Sequence, residues 1–254
     1  MTVPEPTVDG LRASLGPALE ALAEAYVPEG QGAPAAGEST PELLAQAFRQ
    51  LFEAMQRTEA SAGQAQPLQP GHRASTADVS ELGEYALELF EHGLGWARQL
   101  DLPEAHDALQ RCVVAMGRWI ARHGGELFTL EPIVDAVAGR ANQVRDPQQL
   151  IPLYHAMGEI MDAAAPAIRQ DLEKANPGRP WRILHLNRAI VATRTHRPSL
   201  MEEAFSRLTR DLPEEAAQFF SQGMEQMDLL NYPPQVRAVM DRYYREWSVS
   251  RSLH

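Results

Sequence analysis

The chain has little of several features on which other classes of protein depend. It holds one cysteine, Cys112, which excludes an internal disulfide framework and is typical of proteins from a reducing compartment. No apolar run reaches the about 18 residues that a membrane span needs. The start of the chain has neither a basic segment nor an apolar one, so no secretory signal is indicated. The sequence therefore predicts a cytoplasmic protein without a membrane span.

Motifs of catalysis and metal binding are also missing. The sequence contains no nucleophile elbow, phosphate-binding loop, dinucleotide fingerprint or His-Glu-x-x-His pattern. None of the eight histidines follows an acidic residue by three positions, which excludes the Glu-x-x-His pattern of helical di-iron sites. The pairs Glu88/His92 and His155/Glu159 have the spacing of ordinary solvated contacts on one helix face. We therefore predict no catalytic residue, no metal site and no cofactor.

Basic charge is scarce. The chain has 34 acidic and 23 basic side chains, a net charge of −11, and Lys174 is its single lysine. Such a balance disfavours non-specific binding to nucleic acid, which depends on neutralising phosphates. The stretch 181–254 is nearly neutral, with nine acidic and ten basic residues, and leaves room for a local basic patch. The overall prediction is a protein with no nucleic-acid partner.

The residues that are abundant favour helix. Leu, Ala, Glu, Gln and Arg dominate, and no run of alternating β-branched residues occurs, so the fold class is predicted to be all-α. The clearest pattern covers 79–123, where apolar residues recur every three or four positions on both sides of one break. At that break Asp101 is expected to cap the second helix, with Pro103 in its first turn and Glu104 completing a capping box. This stretch predicts a helical hairpin.

The hairpin over 85–116 resembles a tetratricopeptide repeat. The first helix of that family places large, small and aromatic residues in order, and the second places small, large and small ones. The matching residues here are Leu89, Gly93 and Trp96, followed by Ala105, Leu109 and Cys112. Gly117 stands where the family has its terminal proline, so the pattern departs from the family at that point. The resemblance implies stacked helical hairpins with a groove that binds peptides or other proteins.

The order of linkers and helices suggests two parts. Residues 1–75 are predicted to form a flexible arm with two amphipathic helices, separated by linkers at 27–38 and 61–75 that are rich in Pro, Gly, Ala or polar residues. Its helices are expected either to dock on the main body or to pair with another chain. Residues 76–254 are predicted to form an all-helical domain of eight or nine helices with short connections. Stacked antiparallel hairpins in a repeat-like array and a single irregular bundle both fit this order.

Several helix starts carry capping signals. Thr7 is expected to cap the first helix, and Ser39 or Thr40 the second, which Pro41 would open. Ser199 and Glu202 have the spacing of a further capping box, and Pro147 and Pro213 are each expected to open a later helix.

The last helix has the clearest candidate binding surface, because it combines arginine with aromatic residues that are enriched in binding hot spots. Arg251 continues the same series. The simpler interpretation is a solvated outer face on a terminal helix. The candidate residues are Tyr232, Arg237, Arg242, Tyr244, Arg245 and Trp247.

These features favour a non-catalytic protein–protein interaction module or adaptor. Its partner would be another protein, or a second copy bound through the apolar seams at 11–26 and 44–55. The alternative is an enzyme or a small-molecule-binding regulator with a polar pocket inside the helical body. That alternative depends on His185 and Asn187, which interrupt an otherwise apolar helix; structural hydrogen bonding would also account for them.

Overall fold

The computed structural model describes residues 3–27, 39–63 and 75–249. Every regular element in these ranges is a helix, which confirms the all-α prediction, and one isolated β-bridge joins Leu127 and Ala164. Most of both predicted linkers, and Arg251, lie outside the described residues. The helices are α1 Val8–Ala25, α2 Pro41–Gly63, α3 Thr76–Gln99, α4 Pro103–Arg122, α5 Glu131–Gln143, α6 Pro147–Ala163, α7 Pro166–Arg169, α8 Pro180–Arg194, α9 Pro198–Asp211, α10 Pro213–Leu230 and α11 Pro234–Val249.

Proline sets most helix starts. Eight of the eleven helices in the described ranges begin with proline, whose fixed φ suits the first turn and whose missing N–H would have no partner there. The predicted starts at Pro41, Pro147 and Pro213 are confirmed. The predicted cap at Thr7 is also confirmed, since its hydroxyl accepts the Gly10 N–H at 3.1 Å.

Two predicted caps are wrong. Leu102, not Asp101, is the N-cap of α4, and Asp101 has a φ of +53°. Asp101 instead ends α3, because the Leu102 N–H bonds back to the Ala97 carbonyl at 2.8 Å and closes a left-handed C-terminal turn. At α9 the helix already begins at Pro198, so Ser199 lies inside its first turn and cannot be its cap.

The described residues divide into two compact units. The first contains Met1–Arg140 and Glu159–Gln170, and the second Ala141–Gly158 and Asp171–His254. In the first unit α1 and α3 each pack on both α2 and α4, so the four helices close a ring around one core. α1 and α2 therefore belong to the same unit as the hairpin α3–α4, and docking on the main body is one of the two arrangements expected for them from the sequence.

The core of the first unit is built from the stripes that the sequence displays. α3 and α4 are joined by residues 100–102 and pack on each other, as the predicted hairpin requires. Gly83 brings them close together, because a Cβ there would lie 2.5 Å from Ile120 Cδ1. The fully buried side chains of this core include Leu11, Leu15, Leu22, Leu44, Phe48, Met55, Leu109 and Trp119.

The second unit is organised around α9, which packs on α8, α10 and α11. An aromatic cluster joins three of these helices: the Phe205 ring lies 5.1 Å from Phe220 and 5.2 Å from Tyr243 between centroids. A buried ion pair between Arg179 and Asp171 orders the segment before α8, with Nε to Oδ1 at 2.5 Å. The predicted functional residues all lie in this unit.

Candidate functional site

The arginines of the predicted surface on α11 form ion pairs with carboxylates of the second unit. Arg237 pairs with Asp228 of α10, and Arg242 with Glu202 of α9. Arg245 pairs with Asp241 one turn before it, at 2.7 Å. The first two pairs join α11 to its neighbours, the third lies within α11, and each of these exposed pairs contributes about 0–1 kcal/mol. A partner that bound the guanidinium groups would compete with these carboxylates.

The aromatic residues of that predicted surface occupy different places. Tyr244 and Trp247 are half-buried along α11. Tyr232 lies before the helix, and its ring packs edge-on against His196 with centroids 5.5 Å apart. Burial raises the pKa of the Tyr232 hydroxyl, although Arg194 acts in the opposite direction. Of the six candidate residues, Tyr232 lines a groove.

This groove lies between α8, α10 and α11 and has a volume of about 500 Å³. Its apolar lining comes from all three helices and from the turn that holds Tyr232. Gly223 keeps α10 and α11 close at its floor, because a Cβ there would lie 2.6 Å from Met240 Sδ. The main apolar and aromatic lining residues are Ile190, Phe219, Met227, Leu230, Tyr232 and Met240.

The rim of the groove exposes apolar surface. Ile190 is 46% exposed and Leu230 is 61% exposed, and the adjacent Leu229 is 75% exposed. Arg194 also lines the groove, but its guanidinium donates to the carbonyls of Ala141 and Val144 at 2.7 and 2.6 Å. The groove therefore combines an apolar floor and rim with a cation that is already hydrogen-bonded.

Two grooves of the first unit flank α1 and differ in character. The groove between α1 and α4 has a volume of about 710 Å³ and is lined largely by alanine, proline and charged residues. The groove between α1 and α2, of about 630 Å³, contains Phe48 and Phe52, but both of these side chains are buried. Neither groove exposes a large apolar side chain comparable to Ile190 or Leu230.

The seams proposed for self-association are also buried. The apolar residues of 11–26 and 44–55 that face inward, such as Leu15 and Phe48, are fully enclosed in the first unit. Pairing of two chains through them would require the unit to open.

His185 and Asn187 do not form one pocket wall. They are two positions apart on α8 and therefore point to different sides of the helix. His185 is 2% exposed, its ring lies edge-on to Trp181 at 4.5 Å, and its Nε2 is 3.7 Å from Asp211 Oδ2. Burial lowers the pKa of His185 to about 3, so the imidazole is neutral at pH 7. Asn187 is only half-buried.

A buried arginine on the same face of α8 was missed by the sequence reasoning. Arg188 is 3% exposed, its guanidinium lies 4.2 Å from the centroid of the Tyr154 ring, and it donates to Glu203 of α9. Trp181, His185 and Arg188 have the spacing i, i+4, i+7 of one helix face. That spacing was visible in the sequence and could have marked Arg188 as a buried charge.

The described residues contain neither a metal-binding cluster nor a membrane-spanning helix. Within 3–27, 39–63 and 75–249, no group of three or more His, Cys, Asp or Glu side chains is placed to hold a metal ion. Glu159 accepts from Arg118 and Arg122, with its nearest oxygen 2.8 Å from Arg118 Nε. None of the helices described is long and apolar enough to cross a membrane.

Comparisons with known proteins add no family to this description. The chain matches no protein-family model, no curated protein and no solved structure. The resemblance of 85–116 to a tetratricopeptide repeat therefore stays a prediction from its packing residues.

Proposed function

We propose that this protein is an interaction module that binds another protein through the groove between α8, α10 and α11. The observation that carries the proposal is the pair of apolar side chains at the rim, Ile190 and Leu230, beside an apolar floor. Contiguous apolar surface exposed on a folded domain is typical of interaction sites. A cytoplasmic location, expected from the sequence, is part of this proposal.

The partner best suited to the groove is an amphipathic segment with apolar anchors. The floor contains Met227 and Met240, and methionine adapts its shape to different apolar side chains. Exposed polar residues, Gln222, Glu225 and Gln226, follow one edge along α10, where they would face the polar side of such a segment. An amphipathic helix that binds in a hydrophobic groove would use such an arrangement.

Site-specific crosslinking tests the proposal. A photoreactive residue replaces Ile190 in one variant and Leu172 in another; Leu172 is 81% exposed in the same unit but does not line the groove. The variant at Ile190 should crosslink one stoichiometric protein from native lysate, and the variant at Leu172 should not. The captured segment is then synthesised as a peptide and its affinity is measured by fluorescence anisotropy.

Substitutions give the quantitative test. Ile190→Asp and Leu230→Asp should each weaken the binding of the peptide by about tenfold or more, because loss of an apolar anchor costs on the order of 1–2 kcal/mol of binding free energy. Leu172→Asp is the matched control and should leave the affinity within about twofold. Equal crosslinking from both positions, or unchanged affinity in both groove variants, would overturn the proposal.

A further inference from the structure

The guanidinium of Arg188 is buried with part of its hydrogen-bonding capacity unused. Its side chain is 4% exposed, and Nη2 donates to Glu203. Its Nε and Nη1 atoms have no hydrogen-bond partner among the described residues. The absence of a side chain at Gly158 lets the group pack against α6, since a Cβ there would lie 3.2 Å from Nη2. Buried donors without a partner cost free energy, so this arrangement needs a reason.

Two other arginines of this protein show how a carboxylate usually pairs with a guanidinium, through two hydrogen bonds. Asp171 contacts Arg179 at both Nε and Nη2, at 2.5 and 2.9 Å. Glu215 contacts Arg182 at the same two atoms, at 2.5 and 2.7 Å. This two-point geometry is the strong form of an arginine–carboxylate pair. At Arg188, by contrast, Glu203 engages Nη2 and leaves Nε open.

Glu203 is the solvent-exposed partner of this pair. Its side chain is 58% exposed, whereas Glu215 is 14% exposed. Burial is the largest effect on the pKa of Glu203 and raises it, but the hydrogen bond and charge of Arg188, with smaller effects of Tyr154 and His155, together outweigh burial. The pKa is therefore lowered, and the carboxylate is charged at pH 7. Because the buried partner is Arg188 and the exposed one is Glu203, the carboxylate can leave for solvent while the guanidinium cannot.

Further polar atoms without partners lie along the same face of α8. Trp181 Nε1 and His185 Nε2 are buried and lack a hydrogen-bond partner in the part of the chain that the structure describes. With Arg188 they form a row of polar groups over two helical turns. The indole can only donate, so a hydrogen-bond acceptor would satisfy it.

We propose that Arg188 is the anchor of a binding site for a small carboxylic acid. The ligand carboxylate occupies both Nε and Nη2 of Arg188 and displaces Glu203 into solvent. The remainder of the ligand extends along α8 toward His185 and Trp181.

Charge and shape both favour a carboxylate over phosphate. The ligand replaces the single negative charge of Glu203, so a monoanion keeps the charge of the cluster unchanged. Its two coplanar oxygens reproduce the geometry that Asp171 and Glu215 adopt on their arginines. A phosphate dianion would add a second negative charge near Asp211, which already lies 3.7 Å from His185 Nε2.

Fluorine NMR of fluoroacetate with the full chain tests this site. The wild-type protein should broaden the fluoroacetate signal, and acetate should restore it while equimolar inorganic phosphate at matched ionic strength should not. Glu203→Gln should bind fluoroacetate about tenfold more tightly, because the competing carboxylate is gone. Glu215→Gln is the matched control, because it removes from α10 the carboxylate partner of another α8 arginine, Arg182, and it should not strengthen binding.

Two variants at the anchor decide the outcome. Arg188→Lys, and the charge-balanced Arg188→Gln/Glu203→Gln double variant, should both lose the broadening while their circular dichroism and melting show a folded chain. If either folded variant binds fluoroacetate as the wild type does, Arg188 is not the anchor. Displacement by phosphate as effective as that by acetate would overturn the assignment to carboxylates, and equal gains from Glu203→Gln and Glu215→Gln would overturn the role of Glu203.

Discussion

The Glu59 carboxylate accepts the indole N–H of Trp119 at 2.9 Å, which links α2 to α4 across 60 residues of sequence. The same Oε1 atom accepts the Val8 N–H at the start of α1, at 3.1 Å. Trp119 is fully buried, so its N–H has no access to water as an alternative partner. One carboxylate therefore ties both N-terminal helices to the hairpin that the sequence shows most clearly.

Loss of this carboxylate should destabilise the first unit. Glu59→Ala leaves two donors without their acceptor and should lower the free energy of unfolding by about 1–3 kcal/mol, as measured by urea denaturation. Glu59→Gln keeps the Oε1 acceptor and should lose less. The exposed Glu53 on the same helix supplies the control, and its alanine variant should change stability by less than about 0.5 kcal/mol. An alanine variant at Glu59 as stable as the one at Glu53 would contradict the link.

Two glycines of α3 should respond in opposite directions to alanine. At Gly83 a Cβ would meet Ile120 Cδ1 at 2.5 Å, and the resulting overpacking should cost about 1–3 kcal/mol. At Gly95 no heavy atom of the described residues outside its own helix turn lies within 4 Å of the added Cβ, so alanine should stabilise the helix by about 0.5–1 kcal/mol. Chemical denaturation of both variants measures the difference. Adding Ile120→Val to Gly83→Ala should recover part of the loss if contact with Ile120 is its cause.

Acid should destabilise the second unit through His185. Burial lowers the pKa of His185 to about 3, from an ordinary value of 6.5. Below pH 6.5 the unfolded chain therefore binds a proton that the folded chain does not bind until about pH 3. Stability is lost as pH falls through this window, with a slope of up to about 1.4 kcal/mol per pH unit. The charged groups that act on the imidazole are Asp211, Arg207, Arg188 and Asp171.

Urea denaturation between pH 7 and pH 4.5 measures this slope. His185→Phe keeps an aromatic ring against Trp181 but cannot titrate, so its stability should vary less with pH in that range. His92 is exposed on α3, and His92→Gln should retain the wild-type slope because the buried imidazole is still present. A wild-type slope in His185→Phe would show that other groups are responsible.

Cys112 should react with thiol reagents only when the chain unfolds. Burial raises the pKa of its thiol to about 11, against smaller opposing effects of Ser14 and Arg111, so little thiolate forms at pH 8. Iodoacetamide labelling followed by mass spectrometry should rise with urea in parallel with the loss of helical circular dichroism. A Cys112→Ala/Ser199→Cys variant places the thiol at an exposed position and should be labelled rapidly without urea. Rapid labelling of native Cys112 would contradict its burial.

The sequence by itself determined the helices and most of their starts. Apolar periodicity and proline act within one or two turns, so the hairpin α3–α4 and the starts at Pro41, Pro147 and Pro213 follow from local physics. Asp101 was wrongly predicted to cap α4, because a residue between two helices can either end the first or cap the second. The hydrogen bond from the Leu102 N–H to the Ala97 carbonyl shows that Asp101 belongs to the C-terminal turn of α3. A capping residue can be predicted from the sequence pattern only when it lies next to the end of one helix and not between two.

Only the tertiary structure decided where the helices pack and which polar groups are buried together. The seams of α1 and α2 look alike whether they face the same chain or another, and Glu59 and Trp119 meet only after both helices dock. In the same way, α8 shows a polar residue at 188, but its pairing with Glu203 and its contact with Tyr154 join segments 15 and 34 positions away. Such contacts depend on long-range packing, for which a local pattern carries no signal.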